Sequence, residues 1–154
     1  MALILVLNIH GAINSSSGVR KAMTEMKVAR RFSASVVSDD PVTVGALKLC
    51  KDYVAWTDVD KETLSMLLEK RGMVSTTKRL DGPALKALGF KDHSGMADKM
   101  MKDGTRMSAI EGLTPYFRLA PPKGGFKTTL RRQFSEKGVL GMNPRLGEII
   151  RRMV

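Results

Sequence analysis

Aromatic residues make up only 5% of this 154-residue chain, and cysteine occurs once. Scarce aromatics argue against the stacking platforms on which single-strand binders hold successive bases. They leave backbone and shape recognition of a folded polyanion as the better mode. A lone Cys50 excludes an internal disulfide and suits a reducing cytoplasm. One cysteine and two distant histidines, His10 and His93, cannot build a structural zinc site, so neither metal nor cofactor is expected. No apolar run approaches the roughly 18–20 residues of a membrane span, and no membrane partner is expected. Residues 3–9 are apolar, but one Met precedes them and no small-residue cleavage site follows, which reads as a strand rather than a signal peptide. Acidic residues are short as well: fifteen stand against twenty-six Lys and Arg, a net charge of +11.

That excess is one-ended. Residues 115–154 hold nine Lys/Arg against two acids, +7 of the total, whereas residues 1–114 carry seventeen against thirteen. A concentrated positive charge repels itself unless a polyanion neutralises it, and nucleic-acid phosphate is the commonest one. The length fits one domain or one core with an elaboration, and 43% apolar content is enough to bury a core.

Apolar periodicity predicts β-α-β-α-β over residues 1–59. The first strand is Leu3–Ile9. Val19, Ala22, Met23 and Met26 then share a helix face, with Ser16 or Ser17 as cap. Phe32–Ser38 alternates as a second strand. Asp40-Pro41 opens a second helix, whose buried stripe is expected to run through Val42, Ala46, Leu49, Cys50, Tyr53 and Val54. Val54–Val59 is the third strand. Beyond it, a helix runs from Asp60 to a Gly72 cap. Pro83–Leu88 and Met96–Lys102 are shorter helical pieces, and Ser108–Glu111 fits a capping box. A strand is expected at 116–120. Residues 121–142 show no sustained period and read as an extended basic arm. A terminal helix at 144–153 shows Leu146, Ile149, Ile150 and Met153 on one face.

Three segments carry the candidate contacts. The arm supplies Lys123, Lys127, Arg131, Arg132 and Lys137 on a backbone whose Gly124-Gly125 permits close approach to phosphate. It is not a P-loop, because Phe126 rather than Gly precedes Lys127. The loop before the second strand offers Lys27, Arg30 and Arg31. The loop after the first strand offers His10, Asn14 and Ser15 as hydrogen-bonding partners for phosphate or 2′-hydroxyl groups. Arg20, Lys48 and Arg118 complete the set of expected RNA-binding residues. No nucleophile stands beside a base: Cys50 falls on an apolar stripe and is expected to be buried and inert. The helical methionines 23, 26, 66, 96, 100 and 101 read as core filler.

Lys51–Gly72, with the sequence KDYVAWTDVDKETLSMLLEKRG, resembles the signature of the large-subunit ribosomal protein family numbered thirty in bacteria and archaea and seven in eukaryotes. Leu113–Gly125 and Lys137–Gly141 look like later blocks of that family, and Asp40-Pro41 with Gly45 resembles the start of its second helix. The chain departs from the family at Arg31–Ser33, where His or Asn is common, and at Ala120, where a basic residue or His is common. The resemblance implies an α+β fold with a β-α-β-α-β core similar to the ferredoxin-like class. It implies an archaeal-type member, since the first strand begins at residue 3 without a long basic extension before it. It divides the chain into an RNA-binding core, 1–59, and an archaeal and eukaryotic kind of extension, 60–154. It also implies binding to large-subunit ribosomal RNA near the 5S RNA, with neighbouring ribosomal proteins, one copy per ribosome and a place in the cytoplasmic ribosome. No enzymatic reaction is expected. The other readings are an architectural protein of double-stranded RNA or DNA and a small ferredoxin-like phosphate hydrolase.

Overall fold

The unbroken run Leu-Ile-Leu-Val-Leu-Asn forms β1 (Leu3–Asn8), every residue of which is buried. In this computed structural model, which describes residues 2–154, helices cover both faces of the strand. Ile4 and Val6 turn toward α1 (Ser17–Glu25) and α2 (Pro41–Leu49), packing with Val19, Met23, Leu47 and Cys50. Leu3, Leu5 and Leu7 turn the other way, toward α3 (Lys61–Arg71), α4 (Gly82–Ala87), α5 (His93–Asp103) and α6 (Leu146–Met153). A strand buried on two faces has no polar side to alternate with, which is why the run is continuous.

β2 (Ser33–Ser38) and β3 (Val54–Asp58) flank β1, both antiparallel to it. β4 (Phe117–Arg118) adds outside β2, while β6 (Gly138–Met142) lies parallel to β3 and carries β5 (Thr129–Gln133) on its outer side. The sheet order is thus β4-β2-β1-β3-β6-β5. The fold is α+β with a ferredoxin-like core, as expected, and the C-terminal residues return to extend its sheet on both sides.

Four expectations need correction. The buried stripe of α2 runs through Leu47 and Cys50, while Val42 and Leu49 stand 81% and 55% exposed. The helix is apolar on more than one face, so periodicity alone does not fix its rotation. The turn that closes it accompanies the choice: the Cys50 carbonyl accepts from the Tyr53 and Val54 N–H groups at 2.9 and 3.1 Å, and the Cys50 thiol is buried with Sγ 3.8 Å from the Val19 carbonyl. Ser108–Glu111 is no capped helix; a single 3-10 turn spans Met107–Ala109. The strand expected at 116–120 shrinks to Phe117–Arg118. Finally, 121–142 is not one extended arm. Residues 121–128 form a loop, β5 follows, and β6 buries Val139 and Leu140 inside the molecule. Gly138 is required there, because a Cβ would run into the Arg132 backbone.

Candidate nucleic-acid interface

Strand register gathers the candidate residues at one end of the sheet. Leu7 pairs with Ala34 and Asn8 with Val54, so the loop after β1, the loop before β2 and the turn before β3 emerge together. Arg118 pairs with Ser33 and brings β4 to the same end. β6 meets β3 through Ala55–Gly141 and Trp56–Met142, which makes Gly138 and Val139 run past the start of β3. β5 pairs Thr129 with Gly138 and Gln133 with Leu140, so it overhangs as well. His10, Asn14, Ser15 and Arg20 come from the first loop and the first turn of α1. Lys27, Arg30 and Arg31 precede β2, and Lys48 lies in the last turn of α2. Lys123, Lys127, Arg131, Arg132 and Lys137 arrive on the 119–128 loop, on β5 and before β6. All of these are exposed except half-buried His10 and buried Ser15.

A residue that periodicity passes over holds the two basic loops together. Asn8 is fully buried; its Nδ2 donates to the Val28 carbonyl at 2.6 Å and its Oδ1 accepts from the Gly11 N–H at 2.7 Å. Gly11 has φ +75 and turns the chain back at that point. Arg31 Nε donates to the Ile9 carbonyl at 3.0 Å, and Arg20 donates twice to the Ser15 carbonyl, at 3.1 and 2.9 Å. Both guanidinium groups are therefore oriented by neutral carbonyls rather than by carboxylates. The Ser15 hydroxyl donates to the Ala12 carbonyl at 2.6 Å, and His10 Nε2 bonds the Leu130 carbonyl, so both side chains hold the loop and β5 in place.

The 119–128 loop is tied down from two sides. The backbone N–H groups of Ala120 and Lys123 donate to the Met153 and Arg152 carbonyls, both at 3.1 Å. Arg152 Nη1 donates to the Gly125 carbonyl at 2.9 Å. Phe126 stacks on Phe32 with ring centroids 6.3 Å apart, and the Arg31 guanidinium lies 4.7 Å over the Phe32 ring. Phe32 itself has φ +59, a strained conformation for a bulky residue. Its N–H donates to the Asn8 carbonyl at 2.7 Å, and its own carbonyl accepts from Leu119 at 3.0 Å. The sequence signals for these anchors are faint: one polar residue closing an apolar strand, and two of five Phe in basic surroundings.

The described residues contain two ion pairs, Lys61–Asp98 at 2.8 Å and Arg151–Glu62 at 3.3 Å. None of the expected RNA-binding cations takes part in either. Arg20, Arg30 and Arg31 instead line a cleft of about 720 Å3, with His10, Gly11, Ala12, Ile13, Asn14 and Ala29 completing its wall. Cys50 is buried, as expected, and burial pushes its thiol pKa up, which disfavours the reactive thiolate.

No family model matches the chain. It is 32% identical over 151 residues to the large ribosomal subunit protein uL30 of Nitrosopumilus maritimus, covering 98% of this chain and 97% of that one. It is 34% identical over 142 residues to the protein of the same name from Thermofilum pendens, covering 92% and 91%. The uL30 protein of Cenarchaeum symbiosum is 30% identical over 150 residues, covering 97% of each.

Proposed function

The chain belongs to the uL30 family of large ribosomal subunit proteins, and from that premise we propose that it is a structural constituent of the archaeal-type large subunit in the cytoplasmic ribosome. In this reading the basic end of the sheet binds large-subunit ribosomal RNA by neutralising phosphates and matching the shape of a folded helix. Residues 1–59 form the RNA-binding core, and the extension 60–154 adds Arg118 and the cations of 123–137 to the same face. The protein sits near the 5S RNA beside other ribosomal proteins, one copy per ribosome, and carries no reaction. The observation that supports this best is the set of cations, none paired with a carboxylate, delivered by five separate chain segments to one end of the sheet. Their convergence carries the weight, since the described residues hold only two ion pairs in all and most other Lys and Arg are unpaired as well.

Co-sedimentation with large subunits over a salt series tests the reading. Binding should survive moderate salt and fall off steeply as salt rises, because each phosphate neutralised contributes roughly 0.7–0.9 to the slope of log affinity against log salt. Equal binding to large subunits and to bulk double-stranded DNA would replace the ribosomal reading with a general architectural one.

A further inference from the structure

We propose that the cleft between residues 10–14 and 29–31 is a slot for one nucleotide extruded from the RNA, with its base against Ile13 and its phosphate on the guanidinium groups. The proposal rests on the RNA-binding reading and names what the centre of that face recognises. Ile13 is 84% exposed, the most exposed large apolar residue among those described, and it lines the cleft together with Arg20, Arg30 and Arg31. A phosphate-only surface gains nothing from an isoleucine there, since apolar side chains interact with bases and sugars rather than with charged oxygens. Ala12 and Ala29 extend the same apolar wall.

The polar side of the cleft is built in advance. Arg20 and Arg31 are held by the Ser15 and Ile9 carbonyls, at 2.9–3.1 Å and 3.0 Å, and each has donors left over for a phosphate. Phe32 supports Arg31 from one side at 4.7 Å, which keeps its plane available as a surface on which a base can lie. Asn8 fixes the spacing of the two loops from beneath, through bonds of 2.6 and 2.7 Å. The cleft, at about 720 Å3, suits a small ligand rather than a duplex. Bases inside a duplex are stacked and cannot enter, so the ligand is an unpaired nucleotide from a bulge or loop. A shortage of aromatic residues does not prevent this, because aliphatic and guanidinium surfaces replace the ring.

The test uses the full chain and five RNA probes: one fully paired, blunt-ended duplex without a loop, and four copies carrying a single bulged A, C, G or U in one strand. Affinities are measured side by side at fixed salt. At least one bulged probe should bind about tenfold more tightly than the fully paired duplex, the effect of one base held on a side-chain surface. Ile13→Ser should bring that ratio close to one. The side chain is exposed, so the variant is expected to fold, and circular dichroism checks it. Salt-dependent binding of all five probes with equal affinity would overturn the slot and leave the RNA-binding reading standing. An Ile13→Ser chain that keeps the full bulge preference would also overturn it. Binding to none of the probes, together with no binding to large subunits, would overturn the RNA reading and the slot with it.

Discussion

The sheet has two ends of opposite electrostatic design. Where β1 finishes, the expected binding cations crowd together, are oriented by backbone carbonyls or left free, and meet no carboxylate among the described residues. Where β1 begins, Leu3 pairs with Ser38 and Ile4 with Asp58, and Asp39, Asp40 and Asp60 lie nearby in the chain. Part of the charge at that end is used internally. The Ser38 hydroxyl donates to the Asp40 carboxylate, and in the first turn of α3 Lys61 pairs with Asp98 and Glu62 with Arg151. Exposed pairs of this kind contribute little to stability, but they show that mixed charges settle among themselves. The unmixed end has no such ion pair within the described chain, and in the proposed reading its self-repulsion is relieved by the phosphates of RNA.

The contrast depends on a rigid layer beneath both ends, and the largest expected effect tests that layer. Leu47→Ala should cost about 2–5 kcal/mol in urea unfolding, as buried large-to-small changes do. Leu49→Ala, on the exposed side of the same helix, should stay within about 0.5 kcal/mol. Equal losses would mean that α2 is rotated from the position described. The next effect is at the basic end itself. Asn8→Ala leaves the Val28 carbonyl and the Gly11 N–H unpaired in the interior, which should cost about 1–3 kcal/mol. It should also weaken RNA binding, because the two basic loops lose their spacer; unchanged affinity would show that the loops are set by something else.

Removing charge from each end in turn separates the two more sharply, though with a smaller energy. Replacing Arg131 and Arg132 by Gln should flatten the salt dependence of RNA binding by roughly 0.7–0.9 for each phosphate that is no longer neutralised. Asp39→Asn with Asp58→Asn, at the other end, should leave the slope where it was. A slope that responds equally to both pairs would erase the distinction between the ends. The smallest expected change is local. Trypsin should cut the free protein first at Lys123 or Lys127, in the loop 121–128, and RNA should slow that cleavage. First cleavage at Lys51 or Lys70 would mean that those sites open more readily than the exposed loop.

The order of elements from β1 to α3 was legible because its signals were redundant. Alternation marked β2, Pro41 marked the start of α2, and the Met23–Met26 face marked α1. The rotation of α2 was not legible, since Val42, Leu47 and Leu49 are equally apolar and periodicity does not choose between them. β6 was missed for a related reason: two apolar residues between glycines carry too little period, and their burial comes from partners far away in the chain. The basic end was legible as a set of charges but not as a place. Nothing local in His10 or Leu130 announces that they meet across 120 residues of chain, nor that Phe126 lies on Phe32.

Ultraviolet crosslinking of the chain in intact large subunits, with the modified peptides identified by mass spectrometry, tests most directly whether RNA meets the protein at the unmixed end. RNA adducts are predicted on peptides from residues 10–31 and 118–137, and none from 38–62 apart from the Lys48–Tyr53 segment beside the basic end. Adducts concentrated at Asp39–Val42 or Asp58–Glu62, with residues 10–31 and 118–137 unmodified, would contradict it.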